Sequence, residues 1–355
     1  MKSHIPDSIE VPDDMSGDLD QPGDTPEEDL WFLPGPLDDD PEDIGFLFRP
    51  DPGESEIIDA WTQAEAGQAA QLARVVMRMG RLDERLTRGP DGWMRRLALM
   101  ETSELGWITG ARIPADRLAL WVSLRLSGVQ DDALELSRLG WAFRRLSGGT
   151  YPEDNLADFL GRLDPSGQPE DAERFSDHAA GWLEMMKAGR ELHPVTRACM
   201  GYHIWNVAGL GDHDNRIEAA VTASRIAAQD CIGAVFAPLA MGGAGGVHAG
   251  GSPAARLSKW LFAMDRGILT AMRHLDDIEA WATRAQEVMQ GLSGRTPPAL
   301  RSAFIEWPLL SAPMAEKITG ASRPSVHRSL SWMEGQGLVR EVTGQGRFKM
   351  WRVAF

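Results

Sequence analysis

From Ser55 to about Gly294 the chain repeats apolar residues at intervals of three and four, and hardly anywhere at intervals of two. The clearest run is Ala69, Leu72, Val76, Met79, Leu82 and Leu86, which lines one face of an amphipathic helix. Trp61 and Ala64 extend that face upstream. Further helical segments are expected at about 91–105, 114–126, 131–146, 155–163, 169–189, 194–207, 214–233 and 253–291. A chain patterned this way buries helix faces against one another, so the expected fold class is mainly α. The Gly-rich stretch MGGAGGVHAGGSP before the last of these segments has no preceding strand and no Lys followed by Ser or Thr. It is therefore expected to be a flexible connector and not a phosphate loop.

After SGRTPP (Ser293–Pro298) the texture changes. Ala299–Trp307 is expected as a helix stopped by Pro308, and Ala312–Thr319 as a second with Pro313 in its first turn. Gly320 and Ala321 then make a tight turn, and Ser322 is placed to cap a third helix from Arg323 to about Gly335. Val326, Leu330 and Met333 give that helix an apolar stripe, and Arg323, Ser325, His327 and Arg328 are left to face bases in a major groove. Leu338–Thr343 and Arg347–Ala354 alternate around a Gly344–Gln345–Gly346 tip, as a two-stranded wing does. Arg340, Arg347 and Lys349 stand on or near that wing and suit phosphate contacts. The expected architecture is an acidic tail over 1–55, a helical domain over 56–294, and a winged helix-turn-helix with a short β-hairpin wing over 295–355. Double-stranded DNA is the expected partner. One position departs from the motif: Glu316 stands where a small residue usually lets the two helices approach, with Ala315 one step earlier. A winged helix used for protein contact is the alternative.

The net charge of −16 argues against nucleic acid until it is divided along the chain. Residues 1–60 hold nineteen Asp/Glu against two Lys/Arg, a net of −17. Residues 295–355 hold nine Lys/Arg against four Asp/Glu, a net of +5, which leaves −4 for the 234 residues between. The acid therefore belongs to the tail, and the terminal unit is basic. The tail's Asp, Glu, Pro and Gly cannot bury enough surface to offset chain entropy, so disorder is expected there. Two apolar islands, Leu30–Pro34 and Ile44–Phe48, interrupt it. Either they dock on the neighbouring domain, or the acidic tail competes with DNA for the basic unit. No apolar run approaches eighteen residues, and the N-terminus lacks a basic region followed by an apolar one, so a cytoplasmic protein without a membrane span is expected. Cys199 and Cys231 lack metal-ligand spacing and are expected as thiols.

The segment APMAEKITGASRPSVHRSLSWMEGQGLVREVTGQGRFKMWR resembles the C-terminal domain of an alphaproteobacterial family of unestablished role, frequent on rhizobial-type replicons. The resemblance continues upstream through SGRTPP and RIEAAVTASRIAA to the helix near Trp61. It implies a helical domain of unknown function joined to a DNA-binding helix-turn-helix. The family supports the architecture more than a function; from the basic winged helix itself the expected role is transcriptional regulation, of genes on the chain's own replicon such as a plasmid. The helical domain would then serve homodimerisation, or receive a protein or small-molecule effector. A second resemblance is to Fic-type AMP-transferases, in the outline of WLEMMKAGRELHPVTRACMGYHIWNVAGLGDHDNRIEAAVTASRI. Leu192–Trp205 is similar to the helix entering the Fic loop, and Asn215–Ile226 to the helix leaving it. Between them VAGLGDHDNR lacks the general-base His and the phosphate-cradling glycines, so Asp212, Asp214, Asn215 and Arg216 are at most relics of a degenerate loop. The expectation is no catalytic residue, no metal site and no cofactor, with the Asp or Asn capping the following helix.

Overall fold

The computed structural model describes residues 53–124, 133–162, 169–211, 216–344 and 349–355. Among them are thirteen α-helices and three short strands, so the protein is mainly α. In the helical body, α1 (Glu54–Gly67), α2 (Ala69–Arg88), α3 (Gly92–Ile108), α4 (Ala115–Leu124) and α5 (Ala133–Leu146) come first. They are followed by α6 (Leu156–Leu160), α7 (Pro169–Ala188), α8 (Pro194–Ile204), α9 (Ile217–Ala227) and α10 (Pro253–Val288). The C-terminal part adds α11 (Thr296–Glu306), β1 (Leu310–Ser311), α12 (Ala312–Thr319), α13 (Arg323–Gly335), β2 (Val339–Glu341) and β3 (Met350–Val353).

Helix α10 is the spine. Its 36 residues span about 54 Å at the α-helical rise of roughly 1.5 Å per residue. Ser252 opens it, accepting from the Ala255 amide, and Pro253 fits the first turn, where no amide partner is needed. Leu257, Trp260, Leu261, Met264, Ile268, Leu275, Ile278 and Trp281 are buried along it at helical spacing, against α1, α2, α8 and α11. In α2 the buried stripe is Leu72, Val75, Met79, Leu82 and Leu86. Val76, expected in that stripe, is 36% exposed at its edge while Val75 is fully buried.

The segment from Cys231 to Ser252 is not the flexible connector expected from its glycines. Two carboxylates grip its backbone. Asp83 of α2 accepts from the amides of Ile232, Gly233 and Ala234, and Glu101 of α3 from those of Leu239, Ala240 and Met241. A short 3-10 turn at Ala240–Gly242 then lies directly on α10. A Cβ on Gly242 would sit 1.8 Å from the Ala263 carbonyl oxygen, so close approach and not mobility explains that glycine. Val247 is buried and accepts from the Tyr202 hydroxyl at 2.7 Å.

The C-terminal part is fused to the body through one continuous apolar core. Trp281 packs edge-on against Phe304, and its indole N–H donates to the Leu338 carbonyl at 2.7 Å. Arg96 of α3 is 2% exposed and faces no carboxylate; it donates to the carbonyls of Phe304, Ile305 and Trp307 at the end of α11. These carbonyls have no partner within the helix, so the guanidinium caps them. Arg95 stacks over the Trp307 ring at 3.9 Å. The strands form one antiparallel sheet in the order β1-β3-β2, pairing Leu310 with Trp351 and Val339 with Val353. Strand β1 is absent from the sequence-based expectation, and β2 and β3 are shorter than expected. Cys199 and Cys231 are both free thiols.

Candidate nucleic-acid interface

Helix α12 is built as its sequence suggests. Ser311 accepts from the Met314 amide, Pro313 sits in the first turn, and Gly320 ends the helix at φ +64°, the left-handed conformation that favours glycine. The Gly320 amide closes on the Glu316 carbonyl. Ala315 is fully buried, while Glu316, the residue that departs from the expected motif, is half-buried. Its carboxylate lies 3.9 Å from Arg323. Ser322 occupies the N-cap position of α13, but its side chain makes no capping hydrogen bond, contrary to expectation. The backbone bond from the Val326 amide to the Ser322 carbonyl and Pro324 in the first turn start the helix instead.

Val326, Leu330 and Met333 are buried where α13 packs on α11, α12 and β2. Outside this stripe Arg323, His327 and Arg328 are exposed, with Arg328 opposite it. Ser325 is not with them. Its hydroxyl is 2.8 Å from that of Thr296, in the first turn of α11, so the residue faces the protein and is corrected out of the base-reading set. Helix periodicity does not single it out, since His327 steps equally far from the stripe on the other side and is exposed; the Thr296 contact from α11 is what turns Ser325 to the protein.

On the hairpin, Arg340 of β2 and Lys349 before β3 are exposed, and Arg347 lies outside the described residues. Arg352, opposite Arg340 in the register, is tied to Asp116 of α4 at 3.1 Å. Glu341 holds the start of the tip, accepting from the Thr343 hydroxyl and from the Thr343 and Gly344 amides. Slight desolvation pushes its carboxyl up, but these hydrogen bonds, with Lys349 nearby, hold it below the usual carboxylate range. Two cations escaped the sequence reading. Lys317 is exposed in the last turn of α12, and Arg295 is exposed immediately before Thr296, the residue that reaches α13. The signal for Arg295 was the true start of α11 at Thr296, three residues earlier than expected. Among the described residues, no salt bridge engages Arg295, Lys317, Arg328 or Arg340.

The Fic-like outline places a different set of residues. Asp212, Asp214 and Asn215 lie outside the described residues. Arg216 takes the N-cap position of α9 without a side-chain cap, and donates to the Val247 carbonyl at 3.0 Å, beside His248. His203 of α8 stacks on Trp61, and burial, with Arg256 and Arg216 nearby, pushes its imidazole down to about 3. It is therefore neutral across the physiological range. His193 caps α8, its Nδ1 accepting from the Val195 amide. Among the described residues no three His, Cys, Asp or Glu side chains group as metal ligands, and no helix is long and apolar enough to cross a membrane.

No protein-family model matches this sequence, and no curated protein is significantly similar to it.

Proposed function

We propose that this protein binds double-stranded DNA sequence-specifically, as a transcriptional regulator, with α13 as the recognition helix of a winged helix. The order α11-β1-α12-α13-β2-β3, with β3 between β1 and β2, supports the winged-helix reading. The observation that carries the function is the exposed cationic set itself: Arg323, His327 and Arg328 on α13, with Lys317 in the last turn of α12 and Arg340 and Lys349 on the hairpin. Arg323 and Arg328 would reach base edges, where a guanidinium pairs in bidentate fashion with guanine. Lys317, Arg340, Lys349 and Arg295 would neutralise phosphates and set the register. One such unit binds weakly, so the proposal includes a homodimer on two half-sites about one helical turn apart. The helical body then serves dimerisation or receives an effector.

The test is retention of fluorescent duplex DNA by the full chain across a salt series. With four phosphates neutralised per protomer, the logarithm of affinity should fall against the logarithm of salt with a slope of roughly −7 for the homodimer and about half that for a single unit. Absence of any salt-sensitive retention would reject the DNA reading and leave the face as a protein-contact surface. Incubation with labelled ATP and Mg²⁺ addresses the Fic-like alternative, and no nucleotide transfer to any protein is expected.

A further inference from the structure

We propose that the acidic N-terminal segment, residues 1–52, occupies the cationic face of α13 and the hairpin and competes there with DNA. The inference rests on reading that face as the DNA-binding surface, and it names the surface's occupant when DNA is absent.

Charge complementarity is the first argument. Residues 1–52 carry sixteen Asp/Glu against two Lys/Arg, and they include the runs Glu27–Asp29 and Asp38–Asp40, the latter continued by Glu42 and Asp43. Extended residues rise about 3.4 Å each. Consecutive acids therefore present one negative charge per ~3.4 Å, the linear charge density of one DNA strand. The face they would meet has cations to spare, since Arg295, Lys317, Arg328 and Arg340 form no salt bridge among the described residues. Many arginines of the body are already committed: Arg85 to Asp276 and Glu279, Arg197 to Glu153, Arg162 to Glu218. Reach is the second argument. The segment joins the described chain at Gly53, so the run from Glu27 can lie up to about 90 Å from it and Asp38 up to about 50 Å, against about 54 Å for α10, the longest helix among the described residues. An apolar contact is also on offer. Ile318 is 41% exposed beside Lys317, and the island Leu30–Pro34 directly follows the first acidic run.

Each surface charge pair contributes little and is screened within a Debye length of roughly 8–10 Å. Tethering compensates, because a linked segment acts at an effective concentration on the order of millimolar. Competition should therefore be felt at low salt and fade at high salt.

The experiment compares the native full chain with a full chain neutralised at Asp38→Asn, Asp39→Asn, Asp40→Asn, Glu42→Gln and Asp43→Asn. Duplex affinity of the neutralised chain should rise, on the order of tenfold in ~50 mM salt, with the gain shrinking as salt increases. Equal affinities of the two chains would overturn the inference and leave the DNA reading standing. If neither chain binds DNA, the DNA reading fails instead, and a second arm decides the inference alone. A labelled peptide of residues 1–52 is titrated with a full chain neutralised in addition at Glu27→Gln, Glu28→Gln and Asp29→Asn, and followed by anisotropy. Salt-sensitive binding that is lost on adding Arg323→Ala, Arg328→Ala and Arg340→Ala supports occupancy of this face; absence of binding, or binding that survives those changes, overturns it.

Discussion

The Arg96 guanidinium donates to the main-chain oxygen of Trp307 at 2.6 Å, from the second turn of a largely buried helix of the body to the end of the first helix of the C-terminal part. Burial lowers its pKa to about 9, so it stays charged at neutral pH while capping three carbonyls. The C-terminal part is therefore bolted to the body, and does not hang from a linker. Arg96→Ala should destabilise the protein by about 3 kcal/mol or more, because it orphans buried carbonyls and opens a cavity. Urea unfolding measures the loss, and limited proteolysis should show new cleavage near Ser293–Arg295. Arg96→Lys should recover only part of the stability, since one ammonium lacks the planar fork. A change within about 0.5 kcal/mol for Arg96→Ala would contradict the capping role.

Glu101 gives a pH signature. Desolvation pushes its carboxyl up to about 7, against the three amide hydrogen bonds that favour the anion. The folded value lies above the unfolded one, so the folded state holds more protons between about pH 4.5 and 7. The group's contribution is thus fully present below pH 4.5 and is lost as pH rises through 7. Relative to Glu101→Gln, the native chain should lose up to about 3 kcal/mol of stability between pH 5 and pH 8. Urea midpoints at those two values check it, and parallel pH profiles for the two chains would contradict it.

Ser325 and Arg328 should behave oppositely, though both were candidates for base contact in the sequence. Ser325→Ala should leave DNA specificity unchanged and reduce stability by about 0.5–1.5 kcal/mol, through loss of its bond to Thr296. Arg328→Ala should do the reverse, losing about 1–3 kcal/mol of binding and relaxing preference at one base position. Binding to a panel of single-base-pair operator variants, beside urea unfolding, separates the two.

Lys317 and Lys349 should act as phosphate contacts. Either change to Ala should weaken all duplex sequences alike and reduce the salt slope by about 1 per protomer. The residue at 317 is the sharper test, because Lys349 already has Glu341 nearby. An effect confined to one DNA sequence would move these residues from positioning to reading.

Local patterns made some of this legible in the sequence. The stripe Val326, Leu330 and Met333 and the left-handed Gly320 turn follow from spacing and backbone sterics alone, and both are found as expected. What was hidden depends on distant partners. Strand β1 is two residues long and exists only because Met350 and Trp351 lie beside it. Arg96 and Glu101 look like surface charges on a helix until α11 and the 240–242 turn are placed against them. The glycines before α10 suggest mobility by composition, whereas Gly242 is required by the backbone of Ala263 across the interface. Ser325 shows the same limit on the candidate site: helix periodicity left it at a flank, and only Thr296 decided which way it turned.

Sequence-specific reading by α13 is tested most directly by selecting bound fragments from a random duplex pool, using the native chain and the Arg323→Ala, Arg328→Ala double variant in parallel. The native chain should enrich a common motif, with paired half-sites about one turn apart, and the double variant should enrich none. Enrichment of the same motif to the same degree by both chains, or of no motif by the native chain, would contradict the proposed recognition helix.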